Sequence, residues 1–319
     1  MIRALAITGP TASGKTSLSL GVAEALSGEI ISCDSMQIYR GMDIGTAKAT
    51  PEERARARHH MIDLCDPSQV YSAEDYKQAA MAVALDITKR GRLPLFVGGT
   101  GLYIDTVMRG GEVQSPPSDA AVRERLMAIA ETEDGRIALW KRLSEIDPES
   151  AEKNHYNNAR RVVRALEIYE LSGKTKSYFD ELSRAVSADI DVKMITLDFH
   201  DRDTLYKRVD MRVDEMMREG LLSEVERLYL ADKLKPEYTS SQAIGYKEIV
   251  SYLKGECTLD EAIELIKLSS RRYAKRQLTW FRHEKDAYRL YIDDVSGRLR
   301  PSEDVLCEAL EYARSSLSR

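Results

Sequence analysis

The chain lacks the features that would place it in a membrane or outside the cell. No apolar run approaches the roughly 18 residues needed to span a bilayer, and Met1-Ile2-Arg3 leads straight into an apolar pattern with no secretory leader. We therefore expect a cytoplasmic protein with no membrane segment. Cysteine is scarce. Cys33, Cys65, Cys257 and Cys307 stand far apart, with no C-x-x-C pair and no histidine at metal spacing, which argues against a disulfide framework or a zinc site and for reduced thiols. Excess positive charge is missing too: Lys and Arg total 47 against 52 Asp and Glu, a formal net charge of −5. A protein that coats nucleic acid non-specifically is thereby disfavoured, and any nucleic-acid site must be a local patch. Internal repeats and low-complexity tracts are absent as well.

With 319 residues, 43% of them hydrophobic and 31% charged, the chain can bury a sizeable core in one elaborated domain or two domains. Its strongest local signal is Gly9-Pro10-Thr11-Ala12-Ser13-Gly14-Lys15-Thr16, which fits G-x-x-x-x-G-K-[ST] and directly follows the apolar run Ala4-Leu5-Ala6-Ile7. Glycines let such a loop turn tightly, so that successive N–H groups and the start of the next helix face one anion. Lys15 would then reach the terminal phosphate and the Thr16 hydroxyl would ligate Mg²⁺. The motif does not say which phosphate compound sits there.

After a helix expected at 15–25, Glu29-Ile30-Ile31-Ser32-Cys33 reads as a short buried strand. It delivers Asp34-Ser35-Met36-Gln37 to the sheet edge that carries the phosphate motif. Ligands of doubly wound sheets bind beyond the carboxyl ends of the strands, which turns Asp34 toward the phosphate. Segment 40–48 is Gly-rich and aperiodic, so a loop lining that edge is expected. Ser72 and Asp75 form a capping box ahead of an amphipathic run at 73–90, and Gly91 stops it. Leu93-Pro94-Leu95-Phe96-Val97 is a further buried strand. It is followed by Gly98-Gly99-Thr100-Gly101, where many P-loop nucleotidases carry an acid, and this counts against a plain NTPase.

Beyond Pro116-Pro117 strand signals stop, and helices are expected at 118–130, 135–146 and 157–172. We read 113–187 as a helical domain inserted into a core whose first part is 1–112 and whose continuation is 188–319. The core resumes with the strand Val192-Lys193-Met194-Ile195-Thr196-Leu197 and helices at 203–219, 222–230, 242–254, 259–282 and 302–317. The expected fold class is α/β: a P-loop-type parallel sheet flanked by helices, with an inserted helical domain.

Several side-chain sets suit phosphate or RNA. Arg160, Arg161 and Arg164 fall within about 100° of one helix face, opposite Val162, Leu166 and Tyr169. Spacing alone does not separate a phosphate-binding stripe from a solvated face. The same holds for Arg271, Arg272, Lys275, Arg276 and Arg282, which are interleaved with Tyr273, Trp280 and Phe281. Arg208 and Arg212, four apart on a helix that follows a core strand, share a face suited to an anion at the phosphate loop. Met211, Met216 and Met217 read as core filler, and His59 and His60 as structural.

Taken together, GPTASGKT (9–16), DSMQIYRGMDIGTAK (34–48), GGTGLY (98–103), RRVVRALE (160–167), QAIGYKE (242–248) and YAKRQLTW (273–280) resemble the bacterial tRNA dimethylallyltransferase (tRNA isopentenyltransferase) family. The resemblance extends over essentially the whole chain. It implies transfer of a dimethylallyl group from dimethylallyl pyrophosphate to N6 of the adenosine 3′ of the anticodon, in tRNAs reading codons that begin with U.

Carried over by position, the resemblance implies that Gly9, Pro10, Thr11, Ala12, Ser13, Gly14, Lys15 and Thr16 hold the pyrophosphate together with Arg212, with Mg²⁺ on Thr16. Asp34 becomes the general base, and Thr100 and Arg123 stand near the reacting centre. Contacts to the tRNA anticodon stem-loop fall to Asp34, Ser35, Met36 and Gln37, to Thr100 and Arg123, and to Arg160, Arg161, Val162, Val163 and Arg164. The last set is Gln242, Ala243, Ile244, Gly245, Tyr246 and Lys247. Where many relatives have Asn-Asp-Pro before the basic helix, this chain has Asn157-Asn158-Ala159. A monomer is expected.

Two competing readings share the phosphate motif. A P-loop small-molecule or nucleoside kinase would use Asp34 to activate a hydroxyl, and a GTPase-like RNA-binding module would do no chemistry. The missing acid, the helical insertion and the paired basic helices disfavour the kinase, and Asp34 at the phosphate site disfavours the pure binder.

Overall fold

The computed structural model of the chain describes residues 1–108, 116–185 and 189–318. The backbone forms two compact units, one of Met1–Met108 with Ile190–Arg319 and the other of Arg109–Asp189. The boundaries expected at 112/113 and 187/188 lie outside the described residues.

The first unit begins with β1 (Ile2–Thr8), α1 (Lys15–Leu26), β2 (Gly28–Ser32), α2 (Pro51–Arg56), β3 (His59–His60), α3 (Ala73–Lys89), β4 (Leu93–Gly98) and α4 (Gly101–Met108). The second unit contains α5 (Ala120–Ile129), α6 (Glu133–Ile146), α7 (Pro148–Lys153), α8 (Ala159–Ser172) and α9 (Lys176–Ala185). The first then resumes with β5 (Ile190–Asp198), α10 (Arg202–Glu219), α11 (Leu221–Leu230), a 3₁₀ turn at Ser240–Gln242, α12 (Tyr246–Leu253), α13 (Leu259–Arg282), β6 (Tyr288–Tyr291) and α14 (Ser302–Leu317).

All six strands run parallel in the order β3-β2-β4-β1-β5-β6. β1 and β2 are buried almost throughout, which is why they read as near-continuous apolar runs rather than alternating ones. Beyond the central β1 the chain goes first to one side and later to the other, and this makes a topological switch point at its carboxyl end. Three connections leave the same sheet edge: the phosphate loop after β1, Asp34 after β2, and Gly99-Thr100 after β4.

Flanking helices hold these loops by apolar seams. On α3 the capping box forms as expected, with Ser72 Oγ accepting from Asp75 N–H, and Tyr76, Ala80, Ala84 and Ile87 are buried. On α10, Leu205, Val209 and Val213 face inward, so Arg208 and Arg212 flank that seam. One cluster (Leu5, Ile7, Leu18, Leu20, Ile195, Leu197) joins the sheet to α1 and α14. Another (Ile38, Tyr39, Met42, Val213, Leu221, Tyr246, Ile266) joins the 36–48 segment to α10–α13. The helical unit has its own core of Leu126, Leu139, Leu143, Val162, Val163 and Leu166.

Sequence patterns did not indicate α2, α4, α7, α9, β3 or β6. β3 has two residues and β6 four, too few to show a period. The helix expected at 242–254 is shorter. Gly245 at φ 97° interrupts it, so α12 starts at Tyr246. Two inward placements also differ: Tyr169 is 36% exposed and Met211 59% exposed.

Candidate active site

The phosphate loop is shaped by close approaches. A Cβ on Gly9 would lie 2.9 Å from both Leu197 Cβ and Leu197 O, and Gly9 has φ +141°, so only glycine fits between β1 and β5. Ala12 and Gly14 both take positive φ, at 62° and 91°. Gly14 caps α1 without a side-chain hydrogen bond, which leaves the helix's first N–H groups for an anion. Lys15 Nζ folds back onto Gly9 O at 3.0 Å and Pro10 O at 2.6 Å. Ser13 Oγ is buried with no hydrogen-bond partner, an orphan of the kind a bound phosphate oxygen would satisfy.

This loop opens on a cavity of about 410 Å³ whose lining includes Thr11 to Thr16, Asp34 to Gln37, Gly98, Gly99 and Arg212. Burial, and secondarily the charge of Arg212, push the Lys15 ammonium down to about 7, while Asp34 works against them. Burial raises the Asp34 carboxyl, and the Met36 N–H, Lys15 and Arg212 pull it back. Met36 N–H donates to Asp34 Oδ1 at 2.9 Å. Ser35 N–H donates to Thr100 Oγ1 at 3.1 Å, which ties the β2 and β4 ends together. A carboxylate, an ammonium and a guanidinium thus share one partly dry pocket. Such a set holds a polyanion and accepts a proton beside it.

Glycines stand at the end of β4 for a packing reason. A Cβ on Gly98 would meet Cys33 O at 2.2 Å, and one on Gly99 would meet Gln277 Nε2 at 2.1 Å. Gln277 bridges the edge: its Nε2 donates to Gly99 O at 2.9 Å and its Oε1 accepts from Thr11 N–H at 2.8 Å. Sequence reasoning assigned Gln277 no role, although it lies within YAKRQLTW. On the same helix, burial and then Asp34 push the Tyr273 phenol up to about 12, with the Thr100 hydroxyl opposing.

The segments expected at tRNA divide by exposure. Gln242 and Lys247 are exposed, Ile244 is half-buried, and Ala243, Gly245 and Tyr246 are buried. In the helical unit Val162 and Val163 are 1% and 0% exposed, so their side chains belong to its core. Glu167 is buried there. It accepts from Arg123 Nη2 at 2.9 Å and from Asp119 N–H at 2.8 Å, and pairs with Arg164 at 2.9 Å. Burial opposes ionisation of Glu167, but Arg123, Asp119 N–H and Arg164 hold its carboxyl below the usual range. Arg164 also donates to the carbonyls of Pro117 and Pro116. Arg123 and Arg164 therefore brace the unit, which leaves Arg160 and Arg161 exposed and unpaired among the described residues. α8 begins at Ala159, and the side chain of Asn158 does not cap it.

The second basic set also divides. Arg271 pairs with Asp210 at 2.6 Å and Arg282 with Asp198 at 2.8 Å. Arg272 and Lys275 are exposed, and Arg276 lies 5.6 Å from the Tyr273 ring centroid.

A parallel sheet with a phosphate loop after its central strand, glycines where a nucleotidase would carry its acid, and a carboxylate in the same cavity define a P-loop α/β protein built for a phosphorylated substrate. The profile of the IPP transferase family matches residues 37–284. The tRNA dimethylallyltransferase of Bacillus cytotoxicus is 48% identical over 316 residues, covering 99% of this chain and 96% of its own. That of Thermoanaerobacter sp. (strain X514) is 45% identical over 297 residues, covering 93% and 94%. Among solved structures, the tRNA isopentenylpyrophosphate transferase of Bacillus halodurans superposes with a TM-score of 0.73 at 42% identity, covering 100% of this chain and 97% of its own. A eukaryotic dimethylallyltransferase acting on tRNA superposes with a TM-score of 0.77 at 32% identity, covering 93% and 75%. The chain belongs to the IPP transferase family, and its class of activity is that of a tRNA dimethylallyltransferase, a prenyltransferase.

Proposed function

We propose that this enzyme takes its dimethylallyl group from dimethylallyl pyrophosphate and places it on N6 of the adenosine 3′ of the anticodon, in tRNAs reading codons that begin with U. The observation that carries the reading is the placement of Asp34 in one cavity with Lys15 and Arg212. In the reaction the C1–O bond of the donor breaks as the N6–C1 bond forms, and pyrophosphate departs. Negative charge grows on that leaving group, where the loop amides, Lys15 and Arg212 hold it. N6 has its lone pair delocalised into the ring and becomes acidic only as the new bond forms. The ionised carboxylate of Asp34 then accepts its proton.

The target base must leave its stack to reach this pocket, at a cost of roughly a few kcal/mol. Exposed Arg160 and Arg161, with Gln242 and Lys247, supply contacts to the anticodon stem-loop that offset that cost. The residues also fit Mg²⁺. Among the described residues no group of three or more His, Cys, Asp or Glu could hold a metal, so the ion would be shared between the Thr16 hydroxyl and the substrate phosphates, as is common for Mg²⁺. When bound it would neutralise charge on the leaving group. We place the enzyme in the cytoplasm as a monomer; no described helix is long and apolar enough to cross a membrane.

The test is mass spectrometry of tRNA nucleosides after incubation with dimethylallyl pyrophosphate and Mg²⁺. Adenosine next to the anticodon should gain one dimethylallyl group. Its absence at saturating donor, or modification elsewhere in the tRNA, overturns this reading.

A further inference from the structure

A carboxylate that does not itself line the cavity shapes one of its walls. Glu224 on α11 is 7% exposed. Its Oε2 accepts the N–H groups of Asp43 and Ile44, both at 2.9 Å, and its Oε1 accepts the Gly45 N–H at 3.2 Å. Tyr246 on α12 donates its hydroxyl to Oε1 at 2.6 Å. Three successive amides thus converge on one internal anion, the arrangement by which a loop ordinarily grips a phosphate. Gly45 lies so flat on the Tyr246 ring that a Cβ would meet Cε2 at 2.5 Å. The loop is held by the carboxylate on one side and the ring on the other.

What this clamp fixes is part of the pocket. Gly45, Thr46 and Ala47 line the cavity with Asp34 and Gln37. The Gln37 amide hangs from that loop, with Nε2 donating to Thr46 O at 3.1 Å and to Ala47 O at 3.2 Å. Its Oε1 accepts from Ser32 Oγ at 2.8 Å. Orientation of Gln37, three residues from the carboxylate of Asp34, therefore depends on the 43–47 backbone. A buried carboxylate that does no chemistry itself is an expensive way to hold a loop unless the loop must be held in one shape.

We infer that Glu224, with Tyr246 as its partner, is a positioning residue that sets the acceptor side of the active site and governs use of tRNA without touching either substrate. The inference rests on the proposed prenyl transfer. It gives Tyr246 a part in the clamp, where sequence had suggested RNA contact. Gln in place of Glu224 keeps the volume but turns one acceptor oxygen into an NH₂ facing amide donors.

The test compares Glu224→Gln, the milder Tyr246→Phe, and Gly45→Ala, which strains the clamp from the loop side. KM for tRNA should rise roughly 10- to 100-fold in Glu224→Gln and less in Tyr246→Phe, while the Kd for inorganic pyrophosphate stays at the wild-type value. Amide exchange at 43–47 should accelerate in all three variants. Adding Gln37→Ala to Glu224→Gln should give less than the sum of the single effects. Unchanged tRNA kinetics in folded variants, or equal loss of pyrophosphate binding, overturns the inference. Failure of the wild type to prenylate tRNA instead sinks the proposed function, and the exchange measurement still reports on the clamp.

Discussion

Arg208 Nε donates to the carbonyl oxygen of Ala12 at 2.8 Å, and Ala12 sits at the left-handed φ of 62°. A side chain in that region costs roughly 1 kcal/mol or more, so the guanidinium pins the strained apex of the phosphate loop. Arg208→Ala should weaken inorganic pyrophosphate binding about 10- to 100-fold, read by calorimetry. Arg208→Lys should not restore it, because the ammonium lacks the fixed Nε–H of the fork. Full rescue by lysine would reduce Arg208 to a general positive charge.

Lys15 is poised to report donor binding as proton uptake. Burial and Arg212 lower its ammonium to about 7, and a pyrophosphate beside it favours the charged form. At about pH 8, where free Lys15 is mostly neutral, binding should take up nearly one proton, and uptake should shrink toward about pH 6. Affinity should fall as pH rises through the free-state value. Calorimetry in two buffers of different ionisation heat measures this, and uptake that persists in Lys15→Ala would assign the proton elsewhere.

Asp34→Asn keeps size and hydrogen-bonding shape while removing the proton acceptor, and should slow the chemical step by roughly 10²- to 10⁴-fold. Single-turnover rates at saturating tRNA and donor separate that from weaker binding. Burial raises the Asp34 carboxyl, so the ionised base gains population as pH rises through that raised value. The wild-type rate should fall on the acid side at a pH above the ordinary aspartate range, and the Asn variant should lose that inflection. A near wild-type saturated rate in the variant would make Asp34 a positioning group.

Replacing Arg160 and Arg161 together by Gln should lower tRNA affinity and reduce the salt slope by about 1 for each phosphate no longer neutralised. Adding Arg164→Gln should mainly lower Tm, because Arg164 braces the buried Glu167. A slope that responds only to Arg164 would reverse these assignments.

The four inner strands of the sheet, the phosphate loop and Asp34 were legible because each rests on local pattern: apolar runs, a glycine spacing, a strand that must end beside another. Helix ends carried by caps, such as Ser72 and Asp75, were equally readable. What escaped depends on pairs distant in sequence. The glycines at the end of β4 advertised a missing acid, but their cause is the approach of Cys33 and of Gln277, 178 residues away from Gly99. Arg164 read as part of a basic stripe because helical spacing ignores Glu167 beneath it. Glu224 resembled any surface glutamate of an amphipathic helix until three amides from 43–45 were seen to converge on it.

β1 lies beside β5 in register from Ile2↔Ile190 to Thr8↔Thr196, and the two threonines that close this pairing are 188 positions apart. Sequence separation of that size makes the contact slow to form. On a growing chain, β1, β2 and β4 are made first, yet one flank of β1 stays open until the helical unit and β5 have been synthesised. Leu197, which packs against Gly9, arrives with β5. The phosphate cradle is therefore among the earliest segments made and among the last to be completed.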